Sequence, residues 1–306
     1  QGEAIVYQRA GVDQHAWVEL ATLVAGDGDI SDFFGVDVDA SLDGALALVG
    51  APGADALLGA AYVFVRQCGE YTELAKLSDP EGNLNDQFGR TISVSAVNQS
   101  ITALAGADNA VEDGVPGRGA AFAFEGLVRP VDPCADCEAR EAELIVSVSA
   151  RRAELADEEA SGAGPPLDIA GGTRIAQEGS EADGNFGREV SIFGPYALVG
   201  GWGSNDFNGG AWIFERADNG SWVETARLEH SDAAAEDRFG LYLAMGNGTA
   251  VVGAPRQDFE GGTAAENSGA VYIYERDAAT GAAAWTVELR VAADEKEYMG
   301  CVPCSA

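Results

Sequence analysis

The feature that most constrains this chain is a sequence unit that occurs four times in its 306 residues. Each unit begins with a Phe-Gly pair, continues through a Gly-Ala-Pro-like sequence, and then has a run of small and aromatic residues. The Phe-Gly pairs begin at Phe34, Phe88, Phe186 and Phe239, so successive pairs are 54, 98 and 53 residues apart. A unit of about 50 residues that contains several short strands predicts a β-sheet repeat protein.

The last strand of each unit fixes the register of the repeats. It ends in an aliphatic residue that lies 11 residues before the next Phe-Gly pair, at Leu23, Leu77, Ile175 and Leu228. Ile175 therefore closes the unit that begins at Phe88, and the long spacing indicates one unit with an insertion of about 44 residues at 127–169. Alternating apolar residues and Gly or Asn turns predict four short strands in each unit.

Four-stranded units of this length are typical of β-propeller blades, so the predicted fold class is all-β. The propeller is predicted over 1–291. Its blade segments are 1–23, 34–77, 88–176, 186–228 and 239–291. The first segment is only half a blade, because Gly2–Arg9 aligns with the third strand at Gly269–Arg276. Its two missing strands either precede Gln1 in a longer polypeptide, which the sequence analysis favours, or come from another chain.

The four units resemble FG-GAP repeats, the blades of the integrin α-subunit N-terminal propeller. The resemblance covers residues 1–291 apart from the insertion. It implies a non-catalytic extracellular propeller that serves adhesion or assembly, often with bound calcium, and it identifies no ligand. The localisation expected from it is secreted or cell-surface, and opening at Gln1 suggests a processed product or a segment of something longer.

Charge is strongly biased, with 50 acidic against 18 basic residues and a net charge of −32. Such a field repels nucleic acid and anionic lipid, so no nucleic-acid partner is predicted. No apolar run approaches the ~20 residues that would cross a bilayer, so no membrane span is predicted. The loops on one predicted face, which we call the acidic face, hold 21 carboxylates against three arginines. Solubility and turn chemistry explain this face as well as divalent-cation binding does.

Calcium is the candidate cofactor of the acidic face, because hard cations prefer several oxygen ligands from alternate residues of one loop. Two loops between a fourth strand and the next first strand have such spacing. Their candidate ligands are Asp27, Asp29 and Asp32 in one loop, and Asp79, Glu81, Asn83, Asn85 and Asp86 in the other. The family's usual calcium loop lies elsewhere, between the first and second strands, where this chain has only a faint remnant at Asp39 and Asp43.

Three Asn-x-Ser/Thr sequons predict glycosylation on the face opposite the acidic one. They are Asn98, Asn219 and Asn247. Two of them are followed by Gly, and Asn-Gly is also a good hairpin turn, so both interpretations stay open.

Five cysteines suit an oxidising compartment, where disulfides are the default. Cys134 and Cys137 lie in the insertion, and Cys301 and Cys304 lie in the tail at 292–306, which resembles the start of a cysteine-rich module. Their pairing is open, within each pair or between pairs. Cys68 is the odd cysteine, which could bond an insertion cysteine or another chain.

The sequence predicts no catalytic function, because neither His15 nor His230 has a nearby cysteine or nucleophile elbow. Two functions of different classes remain. One is a structural or adhesive propeller within a larger assembly or homo-oligomer. The other is a module that binds a protein or glycan through a cation-bridged acidic face.

Overall fold

A computed structural model of the chain describes residues 2–10, 16–97, 100–111, 114–128, 167–170, 172–175, 184–230, 236–258, 269–276 and 285–292. Nearly all regular structure in these residues is short β-strands, and Ala54–Leu57 and Ser204–Phe207 are short segments of one turn each. No helix in these residues is long and apolar enough to cross a membrane.

The described strands form five sheets, and each Phe-Gly unit contributes four strands that pair antiparallel in chain order to one of them. Sheet 1 contains β3 (Val38–Ala40), β4 (Leu46–Ala51), β5 (Ala60–Gln67) and β6 (Glu70–Ser78). Sheet 2 contains β7 (Ile92–Val97), β8 (Ser100–Ala107), β9 (Ala120–Val128) and β11 (Thr173–Ile175). Sheet 3 contains β12 (Glu189–Phe193), β13 (Tyr196–Gly200), β14 (Ala211–Arg216) and β15 (Trp222–Leu228). Sheet 4 contains β16 (Tyr242–Met245), β17 (Thr249–Ala254), β18 (Ala270–Arg276) and β19 (Trp285–Ala292).

Residues before the first Phe-Gly pair form a separate two-stranded sheet, the half-sheet, from β1 (Ala4–Ala10) and β2 (Ala16–Leu23). Its register shifts between Val6 and Tyr7. The same shift interrupts the pairing of the third and fourth strands in sheets 1, 3 and 4. The half-sheet therefore has the same strand pairing as the third and fourth strands of a complete unit.

Successive sheets are joined in the same way each time. A glycine before the third strand of one sheet forms a parallel bridge to the Phe of the next unit, at Gly59–Phe88, Gly119–Phe186 and Gly209–Phe239. A methyl group on Gly119 would overlap the carbonyl oxygen of Phe186, so only glycine allows this approach. A methyl on Gly2 of the half-sheet would likewise overlap the carbonyl oxygen of Phe34, which indicates the same stacking there.

The Phe of each Phe-Gly pair is a core residue. Phe88, for example, is 1% exposed and packs edge-to-face on Phe122 and Phe124 of its own unit, with ring centroids 5.3 and 5.9 Å apart. The equivalent Phe of the other three units contacts two third-strand aromatic rings in the same manner. Edge-to-face pairs add about 0.5–1.5 kcal/mol beyond the burial of apolar area.

In sheets 2 to 4 the first strand is an edge strand, and some of its free amides bond to side chains of the preceding sheet. Asp37 Oδ2 accepts from Ile92 N at 2.8 Å, and Asp39 Oδ2 accepts from Val94 N at 2.7 Å. Ser93 Oγ then accepts from Ile192 N at 3.2 Å. In the same way Ser191 Oγ accepts from Met245 N at 3.0 Å. These bonds satisfy edge groups that would otherwise lack partners.

The prediction of four strands in every sheet is wrong for sheet 1, because the end of the insertion adds a fifth strand to it. Strand β10 (Leu167–Ala170) pairs parallel with β6, so sheet 1 has five strands. Two glycines separate β10 from β11, which returns to sheet 2 and pairs Ile175 with Ala121. Ile175 thus lies in sheet 2, whereas the end of the predicted insertion lies along sheet 1. The remainder of the predicted insertion, residues 129–166, lies outside the described residues.

Candidate functional site

An open cleft of about 400 Å³ lies on the acidic face, next to sheet 1. The loop from β2 to β3 forms one wall and includes Asp27, Asp29 and Asp32. The loop from β4 to β5 forms the other wall, and Tyr62 and Lys76 line the cleft from the sheet. The cleft thus brings together the three predicted cation ligands of the first loop.

Lys76 is the centre of the polar network in the cleft. Its Nζ donates to Asp27 Oδ2 at 2.6 Å and to Asp55 Oδ1 at 2.8 Å, and the Tyr62 hydroxyl donates to Asp27 Oδ1 at 2.9 Å. Burial favours the neutral carboxyl of Asp27, but the bonds from Lys76 and Tyr62 outweigh it, so the pKa of Asp27 is lowered. Burial opposes the charge of Lys76 as well, and its two carboxylate partners still raise the pKa of the ammonium. Asp27 is therefore paired with a protein cation.

The cleft has an apolar rim held by an unusual backbone. Asp55, Ala56 and Leu57 all have left-handed conformations, with φ of 51°, 58° and 76°. Such values cost roughly 1–2 kcal/mol for each non-glycine residue. Leu57 is exposed at the rim, as is Ile30 on the opposite loop. The loops place apolar side chains beside carboxylates, and this arrangement suits binding of a ligand that has both apolar and polar groups.

Two of the predicted cation ligands have local structural partners. Asp32 Oδ2 accepts from Asp29 N at 2.6 Å, and Asp86 Oδ2 accepts from Asn83 N at 2.8 Å. Both aspartates are buried and lie two residues before a Phe-Gly pair, where the intervening Phe33 and Gln87 have left-handed φ. These carboxylates stabilise the turns after which Phe34 and Phe88 enter the core.

The other predicted ligands of the second loop lie near one another in sequence. Asp79 Oδ1 accepts from Glu81 N at 3.0 Å, and Asn83 Nδ2 is 3.4 Å from Asp86 Oδ2. Asn85 has a left-handed φ of 69° and donates its backbone N–H to Leu57 O of the neighbouring loop. Across the part of the chain that the structure describes, no three His, Cys, Asp or Glu side chains gather into a group that could hold a metal ion. Calcium binding stays a prediction.

A repeated cation–aromatic pair was missed by the sequence analysis. A cation on the fourth strand lies over an aromatic ring of the third strand: Lys76 over Tyr62 at 5.6 Å, Arg174 over Phe122 at 5.4 Å, and Arg227 over Trp212 at 5.6 Å. Each cation directly precedes the aliphatic residue that ends its unit, so the aligned units contain the signal. Because Lys76 reaches the loop carboxylates from a strand, a charge count over loops alone overstates the negative charge of the cleft.

The predicted modification sites are only partly described. Asn219 and Asn247 are both exposed, and Asn219 Oδ1 accepts from Ser221 Oγ at 2.7 Å, whereas Asn98 lies outside the described residues. Cys68 is bonded in a disulfide. Cys134, Cys137, Cys301 and Cys304 lie outside the described residues, and their pairing stays a prediction.

Four antiparallel sheets joined through Gly-to-Phe bridges define an all-β repeat protein. A family model described as FG-GAP repeat matches residues 17–64 and 222–274, which confirms the resemblance to FG-GAP repeats over these two segments. Each match begins at a fourth strand and ends in the next third strand, and so spans two neighbouring sheets. No curated protein matches the chain.

Proposed function

We propose that the chain forms a non-catalytic β-propeller, a structural or adhesive segment of a larger extracellular assembly. The observation that carries the proposal is the constant relation between neighbouring sheets, each joined by the same glycine-to-Phe bridge. A constant step between four-stranded antiparallel sheets is how propeller blades are arranged around an axis. The half-sheet continues the series with its own contact between Gly2 and Phe34.

Small-angle X-ray scattering tests the propeller. A ring of four sheets and a half-sheet is expected to give the short maximum dimension of a compact disc. An elongated particle, as in an open solenoid, would contradict the proposal.

An extracellular location is supported by the FG-GAP repeats, which are typical of extracellular and cell-surface proteins. If the chain passes through a eukaryotic secretory pathway, sugar is expected on at least one of Asn98, Asn219 and Asn247. Peptide mapping by mass spectrometry of the natural protein is the measurement. Three bare asparagines would remove the glycoprotein part of the proposal.

A structural role also agrees with the environment of His230. Its ring stacks on Phe239 with centroids 4.6 Å apart and lies 4.9 Å from the ring of Tyr272. This histidine is 9% exposed and packs in the core of sheet 4. FG-GAP repeats are typically non-enzymatic, and we extend that property to this chain.

A second candidate function is recognition of a protein or glycan through the acidic face, with calcium as a bridging ion. The cleft beside Lys76 favours it, because the exposed side chains of Ile30 and Leu57 line the cleft together with carboxylates. Isothermal titration with calcium, followed by addition of a chelator, tests the metal. Calcium binding that is lost in Asp29→Asn but retained in the distant Asp218→Asn would support this function, and absence of binding heat would exclude the cation-bridged form.

A further inference from the structure

An aromatic pair in the loop from β13 to β14 departs from the repeat pattern. Trp202 lies where the other three units have Pro or Asp, and Phe207 lies where sheet 1 has Leu57. The centroids of the two rings are 5.6 Å apart, and the rings are inclined by 36°. Phe207 is 43% exposed and has a left-handed φ of 64°. The backbone therefore holds an apolar ring at the surface of the acidic face, beside a partly buried indole.

Arg238 of the next unit extends over the same indole. Its guanidinium carbon lies 4.7 Å from the centre of the Trp202 ring. Its backbone N–H donates to Phe207 O at 3.2 Å, and its φ of 57° is also left-handed. A cation over the face of an indole is attracted to it, so the ring and the backbone together fix the guanidinium. We call Trp202, Phe207 and Arg238 the Arg238 cluster.

The charge of Arg238 is not paired with a carboxylate in the part of the chain that the structure describes. Lys76, by contrast, bonds to two aspartates. The Nε of Arg238 is buried and has no hydrogen-bond partner among the same residues. Burial and the nearby charge of Arg256 lower the pKa of Arg238, against the opposing effect of Glu236. A guanidinium in this state is stabilised by an added carboxylate, which supplies both opposite charge and hydrogen-bond acceptors.

Arg256 adds to the positive charge at this position. Its backbone N–H donates to Asp237 O at 3.2 Å, so its loop lies against the residue that precedes Arg238. Its Nη1 is 3.7 Å from Glu236 Oε2, beyond hydrogen-bond distance, and the Glu236 side chain is 73% exposed. The acidic face has only three arginines in its loops, and two of them meet here. The Arg238 cluster is thus a positive position within negative surroundings.

From these contacts we propose that the Arg238 cluster binds the free C-terminal carboxylate of a partner protein chain that ends in an apolar residue. The carboxylate pairs with the guanidinium of Arg238, and the terminal side chain packs on the exposed ring of Phe207. The site shares no residue with the cleft beside Lys76 and requires neither calcium nor a closed propeller.

The charge of the whole chain decides between kinds of acidic ligand. A net charge of −32 repels a ligand that carries many negative charges, such as a polyuronate. A chain terminus brings a single carboxylate, and basic residues before it are attracted by the surrounding carboxylates of the acidic face. An acidic polysaccharide is the other ligand, and it is an outcome of the test.

Nuclear magnetic resonance titration of the 306-residue chain with two synthetic peptides tests the site. Both peptides have the sequence Gly-Lys-Ser-Lys-Leu, and they end in a free carboxylate or in an amide. The free acid is expected to shift the indole N–H resonance of Trp202 saturably and to bind at least about tenfold more tightly than the amide. General attraction to the acidic face would instead favour the amide, which is the more positive peptide. No saturable shift with either peptide overturns the site, and equal binding overturns carboxylate recognition.

A matched pair of arginine variants locates the site. Arg238→Gln is expected to weaken binding of the free acid at least about tenfold. The substitution suits the backbone, because Gln87 occupies the aligned position with a φ of 61°. Arg276→Gln is the control, since Arg276 lies 4.6 Å from the centre of the Tyr196 ring and belongs to a turn of the opposite face. It is expected to leave binding unchanged. Circular dichroism checks that both variants fold, and equal losses overturn the assignment to Arg238.

A second pair of variants tests the apolar contact. The parent chain is expected to bind the peptide ending in Leu more tightly than the same peptide ending in Gly. Phe207→Ala is expected to remove this preference, whereas Leu57→Ala, at the aligned position of sheet 1, is expected to keep it. A preference that survives Phe207→Ala overturns the contact with Phe207. Tighter binding of a galacturonic acid trimer than of the free-acid peptide overturns the protein terminus as the ligand.

Discussion

Sheet 2 and the half-sheet contain the same third-to-fourth strand pairing and differ in what covers it. In sheet 2, Phe122 and Phe124 lie under Phe88 and are at most 3% exposed. In the half-sheet, Ile5 and Tyr7 occupy the same positions without a Phe and are 42% and 52% exposed. The half-sheet still pairs, and it still stacks on sheet 1 through Gly2. In sheet 2 the Phe is thus what buries the aromatic side chains of the third strand.

The largest expected effect comes from removing the covering residue of a complete sheet. Phe88→Ala is expected to lower the free energy of unfolding by about 3–5 kcal/mol, because it leaves a cavity beneath two aromatic rings. Tyr7→Ala in the half-sheet is the matched control, with an expected loss below about 1 kcal/mol, because its ring is half exposed. Urea unfolding measures both. Equal losses would mean that the half-sheet is covered as sheet 2 is.

Replacement of the glycines between neighbouring sheets is expected to have the next largest effect on the free energy of unfolding. Gly119→Ala adds a methyl against Phe186 O, whereas Gly114→Ala has the same left-handed φ and no atom within 4 Å of the added methyl. Both substitutions incur about 1 kcal/mol of backbone strain, and Gly119→Ala is expected to cost about 2 kcal/mol more.

Gly2→Ala is the equivalent substitution in the half-sheet, where the added methyl would meet Phe34 O. It is expected to behave as Gly119→Ala does if the half-sheet stacks as the complete sheets do. The midpoint of thermal unfolding ranks the three variants. A Gly2→Ala variant as stable as the parent chain would contradict the stacking of the half-sheet.

The inner strands, which only the complete sheets possess, predict a pH dependence. Burial and the nearby charge of Asp37 raise the pKa of Glu189 from 4.5 to about 8, against the opposing effect of Arg188. The folded protein therefore holds a proton that the unfolded chain releases, so stability falls as pH rises from about 4.5 to about 8 and is level above that. Glu189→Gln removes this loss and is expected to stabilise the protein by about 2 kcal/mol at about pH 9, with no gain at about pH 4. Urea unfolding at both pH values measures the difference, and a gain that is equal at the two would contradict the assignment.

The smallest expected effect on stability comes from replacing Lys76, the cation of the fourth strand of sheet 1. Lys76→Gln is expected to cost about 1 kcal/mol, because Asp27 and Asp55 are both partly exposed and their pairing with Lys76 is screened by solvent. The equivalent position in the half-sheet is Thr22, and Thr22→Gln is expected to change stability by less than about 0.5 kcal/mol. A loss above about 2 kcal/mol for Lys76→Gln would show that the pair is a principal support of the cleft.

The repeat pattern predicted the sheets because each strand recurs at a fixed distance from a Phe-Gly pair. It placed Ile175 in the fourth strand of sheet 2 across an insertion of more than 40 residues. Strand β10 could not be predicted, because Leu167–Ala170 has no counterpart in the other units and its parallel partner lies in a different unit.

The candidate site was predicted less completely. Asp27, Asp29 and Asp32 do share a cleft, but spacing alone could not show that Lys76 pairs with Asp27 or that Asp32 supports a turn. Those contacts depend on which strand residues point toward the loops. Aligning Lys76 with Arg174 and Arg227 would have indicated a cation at this position, although not its partners.

Hydrogen exchange of the free chain tests most directly whether the half-sheet is open. The third strands β5, β9 and β14 lie between two paired neighbours, whereas β1 pairs on one side within the described residues. All interior amides of β14 are expected to exchange slowly, while about half of the amides at Ala4–Tyr7, those that face away from β2, exchange at rates near those of an unprotected chain. Uniform slow exchange along β1 in a monomer without any partner would contradict the account.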